Sequence, residues 1–311
     1  MGNTWESEVS DDGEFVRHQT SFRTQIRADG STAFAPASGR YHLYVSLACP
    51  WAHRTLITRK LKGLENAISF DVVHPLLPTT GWSFDDSTPG ATGDTVNGFR
   101  DLREAYMKSN PQFEGAITVP VLWDKETRQI VNNESAEIIR MFNAEFPDDA
   151  TNAALDLYPA DKREQIDALN EWIYPCINNG VYRCGFATKQ AAYSRAFEEL
   201  FAALDRVEAI LADSRYLTGS ELTEADVRLF TTLVRFDAVY VTHFKCNLRR
   251  IVDYPNTWGF TRDIYQAPGV AETVNMAHIK NHYYASHRHI NPFGIVPDGP
   301  ALDFEAPHGR G

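Results

Sequence analysis

The pattern of apolar and polar positions changes period about halfway along the chain. Tyr41-His42-Leu43-Tyr44-Val45-Ser46 carries the aromatic and β-branched residues of a strand. From Trp51 to Lys62, Ala52, Leu56, Ile57 and Leu61 recur at helical spacing, with Pro50 suited to the first helical position and Gly63 to the stop. Ile68 to Val73 reads as a second strand. Thr118 to Trp123 and Gln129 to Asn132 read as a hairpin around Asp124-Lys125-Glu126-Thr127. Glu134 to Phe146 follows as a helix with Ala136, Ile138, Ile139, Phe142 and Phe146 on its apolar side. Between the second strand and the hairpin, residues 74–115 are dense in Pro, Gly, Thr and Asp, and read as an inserted loop.

From Asp161 onward the period is helical, clearest over 161–179, 188–212, 223–240 and 269–286, with Pro147 to Pro159 as a linker. Thr223-Glu224-Ala225-Asp226 has the spacing of a capping box, which makes Asp226 a structural residue rather than a catalytic one. The expected organisation is an N-terminal arm over residues 1–40, an α/β thioredoxin-like domain over 41–147 with the insertion 74–115, and an all-α domain over 160–311.

Composition narrows the function classes. A formal net charge of −11 and the lack of a basic cluster argue against nucleic acid. No apolar run is long enough to span a bilayer. The first residues lack the basic and apolar stretches of a signal peptide, and Glu6 breaks the myristoylation pattern after Gly2. A cytoplasmic location is the expectation. The four cysteines, Cys49, Cys176, Cys184 and Cys246, are too scattered for a zinc site. His278 and His282 are four apart, but no third ligand is marked and no metal is assigned.

The chemistry centres on Ala48-Cys49-Pro50-Trp51-Ala52. A thiol at a helix start meets unpaired backbone N–H groups and the positive end of the helix dipole, both favouring the thiolate. The position three residues on, where a resolving cysteine would sit, is Ala52. Cys49 is thus expected to form a mixed disulfide with an external thiol. Val119-Pro120 precedes a strand, where a cis proline would turn backbone groups toward a bound peptide. At Asn133-Glu134-Ser135, Glu134 can accept from an α-amino group while Ser135 and the helix N–H groups hold an α-carboxylate. Each also has a structural reading, as a helix cap or an edge-strand proline.

Taken together, these stretches resemble the glutathionyl-hydroquinone reductases, the Xi class of glutathione transferases, from about residue 40 to 297. The resemblance rests on Cys-Pro-Trp-Ala-His-Arg (49–54), Thr-Val-Pro-Val-Leu-Trp-Asp (118–124) and Asn-Glu-Ser-Ala-Glu-Ile-Ile-Arg-Met-Phe (133–142). In the helical half it rests on Gly-Val-Tyr-Arg-Cys-Gly-Phe-Ala (180–187) and His-Tyr-Tyr-Ala-Ser-His (282–287).

It implies a glutathione transferase fold and glutathione as cosubstrate, with no bound cofactor. It also implies aromatic glutathione conjugates as substrates and a homodimer. Cys49 falls on the nucleophile, Tyr182 on the acid that protonates the aromatic carbon, and Tyr240 and Tyr283 on residues that stabilise the thiolate. Trp82 matches a residue that packs on glutathione, and Ile117, Thr118 and Val119 the stretch that binds it beside Glu134 and Ser135.

One departure is Ala116, where the family carries an arginine four residues before the proline. Either Arg100 or Arg103 compensates, or the cosubstrate is a different γ-glutamyl thiol. Two other readings are a general deglutathionylase or dehydroascorbate reductase, which Cys49 supports equally, and a non-catalytic interaction module with the transferase fold.

Overall fold

The computed structural model describes residues 8–78 and 80–311. Residues 1–7, on which the expectation of a leaderless start rests, and Thr79 in the insertion lie outside it. The described chain forms two compact units. One comprises Gln19–Asp156 with Glu272–Ser286. The other comprises Leu157–Ala271, His287–Gly311 and the arm residues through His18.

The first unit is built on a four-stranded sheet of order β2-β1-β3-β4. Strand β1 (Tyr41–Val45) pairs in parallel with β2 (Ser69–Val72) and antiparallel with β3 (Val121–Asp124). Strand β4 (Gln129–Asn132) closes the hairpin with β3. Helix α1 (Pro50–Lys62) crosses between β1 and β2, and α3 (Ser135–Ala144) follows β4. The expected β-α-β-insertion-β-β-α order is therefore the observed one. Every residue of β1 and β3 is buried, the polar His42 and Asp124 included, because these are the two central strands of the sheet. The hairpin turn is held by Asp124, whose carboxylate takes a bidentate pair of hydrogen bonds from Arg40 at 2.8 and 2.7 Å.

The insertion is more ordered than its composition suggests. Asp71 at the end of β2 accepts from Thr95 N at 2.7 Å, and Asp94 accepts from Tyr44 Oη and from three backbone N–H groups, of Val96, Asn97 and Phe99. The insertion also contains a helix, α2 (Leu102–Ser109), opened by an Asp101–Glu104 capping box. The arm is structural too. Phe22 N donates to Asn133 Oδ1, Asn133 N donates to Phe22 O, and Ala28 N donates to Glu145.

The second unit is helical: α4 (Arg163–Ile173), α5 (Gly180–Gly185), α6 (Gln190–Asp213), α7 (Glu224–Arg235) and α8 (Pro255–Tyr265). The expected helix over 161–179 widens into a π turn at Tyr174–Asn178, where Pro175 has no N–H to continue the ladder. That over 223–240 ends in a second π turn, Phe236–Tyr240. The helix expected over 269–286 is shorter, and it belongs to the first unit as α9 (Met276–Ser286). Its start is set by Asn275, whose side chain accepts from His278 N at 2.9 Å.

The capping box at Thr223 forms as expected. Asp226 is fully buried and accepts from Thr223 N, Thr223 Oγ1 and Leu217 N, each at 2.8 Å, while burial pushes its carboxyl up to about 6. Asp226→Ala leaves three buried donors without that acceptor. It should cost about 3 kcal/mol, read as a fall in melting temperature, with Cys49 chemistry intact in the folded fraction.

Candidate active site

Helix α1 begins at the cysteine. Cys49 is the N-cap residue, with extended backbone angles (φ −75°, ψ 122°), and Pro50 occupies the first helical position. Its half-buried Sγ lies 3.5 Å from Val119 O, the carbonyl that precedes Pro120 across a cis peptide bond. Thiol and pre-proline backbone, far apart in sequence, are thus in contact. All four cysteines are thiols in this structure, and they differ in surroundings. Burial pushes the thiols of Cys176 and Cys246 up, and the Glu199 carboxylate adds to the effect on Cys176.

The pre-proline segment is held from one side by α2. Tyr106 Oη donates to Thr118 O at 2.8 Å and accepts from Thr118 N at 3.1 Å, and Ile117 and Val119 are buried on either side. Tyr106 is fully enclosed, packed against Phe22 and Phe113, and burial pushes its phenol up, keeping it a neutral donor.

Glu134 and Ser135 stand where β4 gives way to α3. Glu134 is the N-cap; its carboxylate accepts from Ala136 N at 3.2 Å and from Thr20 Oγ1 at 3.2 Å. Ser135 Oγ accepts from Arg54 Nη1 at 3.3 Å, which leaves the hydroxyl proton directed elsewhere. Arg54 is almost fully buried and its guanidinium lies 4.5 Å from the Trp51 ring centroid. Arg54 thus links the helix that begins at Cys49 to the helix that begins at Ser135. Position 116 is alanine, and a buried cation, Arg54, stands behind Ser135.

Trp82 is placed within the insertion by backbone pairing: Leu102 N donates to its carbonyl at 2.9 Å. Its ring stacks on His282 of α9 at 5.2 Å between centroids. His278 Nε2 and His282 Nδ1 contact Pro89 O and Pro75 O at 2.8 and 2.9 Å, so both histidines fasten α9 to the insertion. Among the described residues no group of three potential ligands could hold a metal ion. Tyr283, beside His282, is buried in the same unit.

Tyr182 and Tyr240 belong to the helical unit. Their ring centroids are 6.1 Å apart within an aromatic cluster that includes Phe15, Phe186 and Phe244. Arg17, from the arm, lies 4.8 Å from the Tyr182 centroid and donates to Asn179 Oδ1 at 2.9 Å. Tyr182 lies in α5, shortly after the first π turn, and Tyr240 is the last residue of the second.

Four residues of these surroundings have no assigned role in the sequence reading: Thr20, Arg54, Tyr106 and Asn133. Arg54 and Asn133 lie inside the quoted motifs, and their burial is the signal. Thr20 and Tyr106 carry no local mark, because their partners are more than a hundred and about a dozen residues away, respectively.

The geometry agrees with comparisons to known proteins. The chain matches the glutathione S-transferase N-terminal domain family over residues 48–145 and the glutathione S-transferase C-terminal domain family over 190–263. It is 57% identical to the glutathionyl-hydroquinone reductase YqjG of Escherichia coli, over 99% of this chain and 95% of that one. Against the glutathione-bound structure of YqjG the TM-score is 0.90, covering 93% of this chain and 96% of that one. It is 48% identical to the glutathionyl-hydroquinone reductase PcpF of Sphingobium chlorophenolicum, over 96% and 94%. The glutathione S-transferase Xi of Phanerochaete chrysosporium superposes with a TM-score of 0.91 at 53% identity, over 94% of both chains. With one thiol at the start of α1, the cis proline beside it and the Glu-Ser pair opening α3, this chain belongs to the Xi class of glutathione transferases, the glutathionyl-hydroquinone reductases.

Proposed function

We propose that this chain reduces glutathionyl-hydroquinones with glutathione, and that Cys49 is the nucleophile. The observation that carries the assignment is the 3.5 Å approach of Cys49 Sγ to Val119 O at the start of α1, with Ala52 where a resolving thiol would stand. A hydroxyl there would serve conjugation by holding the thiolate of glutathione. A thiol attacks sulfur itself.

In the first step the Cys49 thiolate attacks the thioether sulfur of the conjugate. A sulfur–sulfur bond forms as the sulfur–aryl bond breaks, and the departing electron pair on the aromatic carbon takes a proton from Tyr182. The aromatic product gains two electrons, and Cys49 is left oxidised as a mixed disulfide with glutathione. In the second step a glutathione thiolate attacks the glutathionyl sulfur, releasing glutathione disulfide and restoring the Cys49 thiolate. Tyr182 regains a proton from solvent. Tyr240 and Tyr283 stabilise the thiolate, since a hydrogen bond to a charged form favours that form.

The peptide is held by backbone pairing along Ile117, Thr118 and Val119. Glu134 receives its α-amino group, Ser135 at the start of α3 receives its α-carboxylate, and Trp82 packs on its body. Glutathione needs no bound cofactor beside it in this scheme. The aromatic part of the conjugate, a homodimeric state and a cytoplasmic location belong to the same reading. Four thiols and no disulfide suit a reducing compartment. No helix among the described residues is long and apolar enough to cross a membrane.

With a glutathionyl-hydroquinone and excess glutathione, Cys49→Ala should lose turnover by at least about 1,000-fold, and Tyr182→Phe by about 100-fold or more through kcat. Activity of wild type toward small mixed disulfides alone would instead favour the deglutathionylase reading. Glu134→Gln should raise the KM for glutathione about tenfold, because a charge-assisted hydrogen bond to the α-amino group is lost. The same variant should treat a glutathione analogue lacking that amino group as wild type does. Equal KM values for wild type and variant with glutathione itself would remove Glu134 from the site.

A further inference from the structure

Tyr106 Oη sits where two backbone segments meet, and its bonding capacity is filled. A phenol hydroxyl has one proton and two lone-pair directions. Here it donates to Thr118 O at 2.8 Å and accepts from Thr118 N at 3.1 Å and from Asn133 Nδ2 at 3.0 Å. Asn133 Nδ2 also reaches Thr118 Oγ1 at 3.3 Å, while Asn133 Oδ1 accepts from Phe22 N and Asn133 N donates to Phe22 O. Thr118 immediately precedes Val119, whose carbonyl faces Cys49. Asn133 immediately precedes Glu134 and Ser135. One buried hydroxyl therefore spans the gap between the two segments, and the ring that carries it is wedged between Phe22 and Phe113.

We infer that Tyr106 is a positioning residue for the peptide of glutathione, setting the spacing between the backbone that pairs with it and the turn that binds its γ-glutamyl end. This holds for the peptide site proposed above. A peptide that must pair with residues 117–119 while placing its α-amino group at Glu134 requires those two walls at one fixed separation. Beyond the backbone ladder that pairs β3 with β4, the Tyr106 and Thr118 hydroxyls, which share Asn133, bridge them. Cys49 gains its place from α1 and does not depend on that bridge. The consequence is selective: loosening the bridge weakens binding of anything that carries the glutathionyl peptide and leaves the reactivity of the thiol unchanged.

Tyr106→Phe removes the hydroxyl and keeps the ring. Steady-state kinetics should show KM raised about five- to tenfold for both glutathione and the glutathionyl conjugate, with kcat within about twofold. Reaction of Cys49 with 2-hydroxyethyl disulfide, which has no peptide, should stay within about twofold of wild type. A merely structural role would do the opposite, lowering the active fraction for every substrate with KM unchanged. Thr118→Val, a milder lesion on the same bridge, should raise both KM values about two- to threefold, and it decides the matter if Tyr106→Phe is insoluble. Unchanged KM values in a soluble variant overturn the role of Tyr106, as does an equal slowing with 2-hydroxyethyl disulfide. Failure of wild type itself to saturate with glutathione would overturn the peptide site, and the role of Tyr106 with it.

Discussion

A thiol that starts a helix, with a carbonyl oxygen 3.5 Å from its sulfur and no second thiol one turn on, is the constraint around which the first unit is arranged. Its position is fixed by the chain on either side of it. Pro50 makes residue 49 the last non-helical one, so Cys49 cannot drift into the helix. Strand β1 delivers the chain to that point from the centre of the sheet, and the cis Val119-Pro120 segment brings a carbonyl to the sulfur. A thiolate formed there sits at the N-terminal, positive end of the α1 dipole, which stabilises negative charge. Without a resolving cysteine, the disulfide it forms has to be opened by an external thiol. That requirement makes a peptide thiol both a product fragment and a cosubstrate.

The surroundings are built less from the thioredoxin-like core than from what has been added to it. The insertion supplies Tyr106 and Trp82, the arm supplies Thr20 and Phe22, and α9 supplies His282 and Tyr283. These three segments are not adjacent in sequence, yet the insertion, α9 and the arm from Gln19 onward pack into one unit. They do so through buried polar contacts: Asp71 and Asp94 collect the N–H groups of the insertion, and His278 and His282 reach its carbonyls from α9. Such contacts are costly to leave unmade once water is excluded, which is how a segment rich in Gly, Pro and Thr holds one conformation.

How much of this could be read from the sequence follows the range of the interactions. Strands β1 to β4 and helices α1 and α3 were legible because burial imposes its period locally, and Cys49 and Pro50 because a helix start is a local event. The capping box at Thr223 was legible for the same reason. Helix α2 carried a comparable mark, Asp101-Leu102-Arg103-Glu104, hidden by the polar stretch around it. Helix α8 carried only Pro255 at its first position, with no capping residue of its own. Its first N–H groups, on Asn256 and Thr257, are capped by Glu208 of α6, and Gly259 in its middle lies close under the carbonyl of His308, where a Cβ would sit 2.9 Å from that oxygen. Those partners are some fifty residues away in each direction, beyond any local pattern. The π turns at Tyr174 and Phe236 were invisible except for Pro175. Tyr106 and Thr20 belong with α8, since their importance lies wholly in distant partners. The tyrosines at 182, 240 and 283 could be singled out only by resemblance, because burial among aromatic rings looks the same for a core residue as for a proton donor.

The central claim is that Cys49 takes the glutathionyl group from the aromatic substrate before any glutathione acts. A single turnover with wild type, one equivalent of a glutathionyl-hydroquinone and no added glutathione tests it, followed by mass spectrometry of the protein and its Cys49 peptide. The account predicts one hydroquinone released per chain, with one glutathione carried as a mixed disulfide on Cys49 and none on Cys176, Cys184 or Cys246. Hydroquinone released without an adduct, or an adduct on another cysteine, would contradict it.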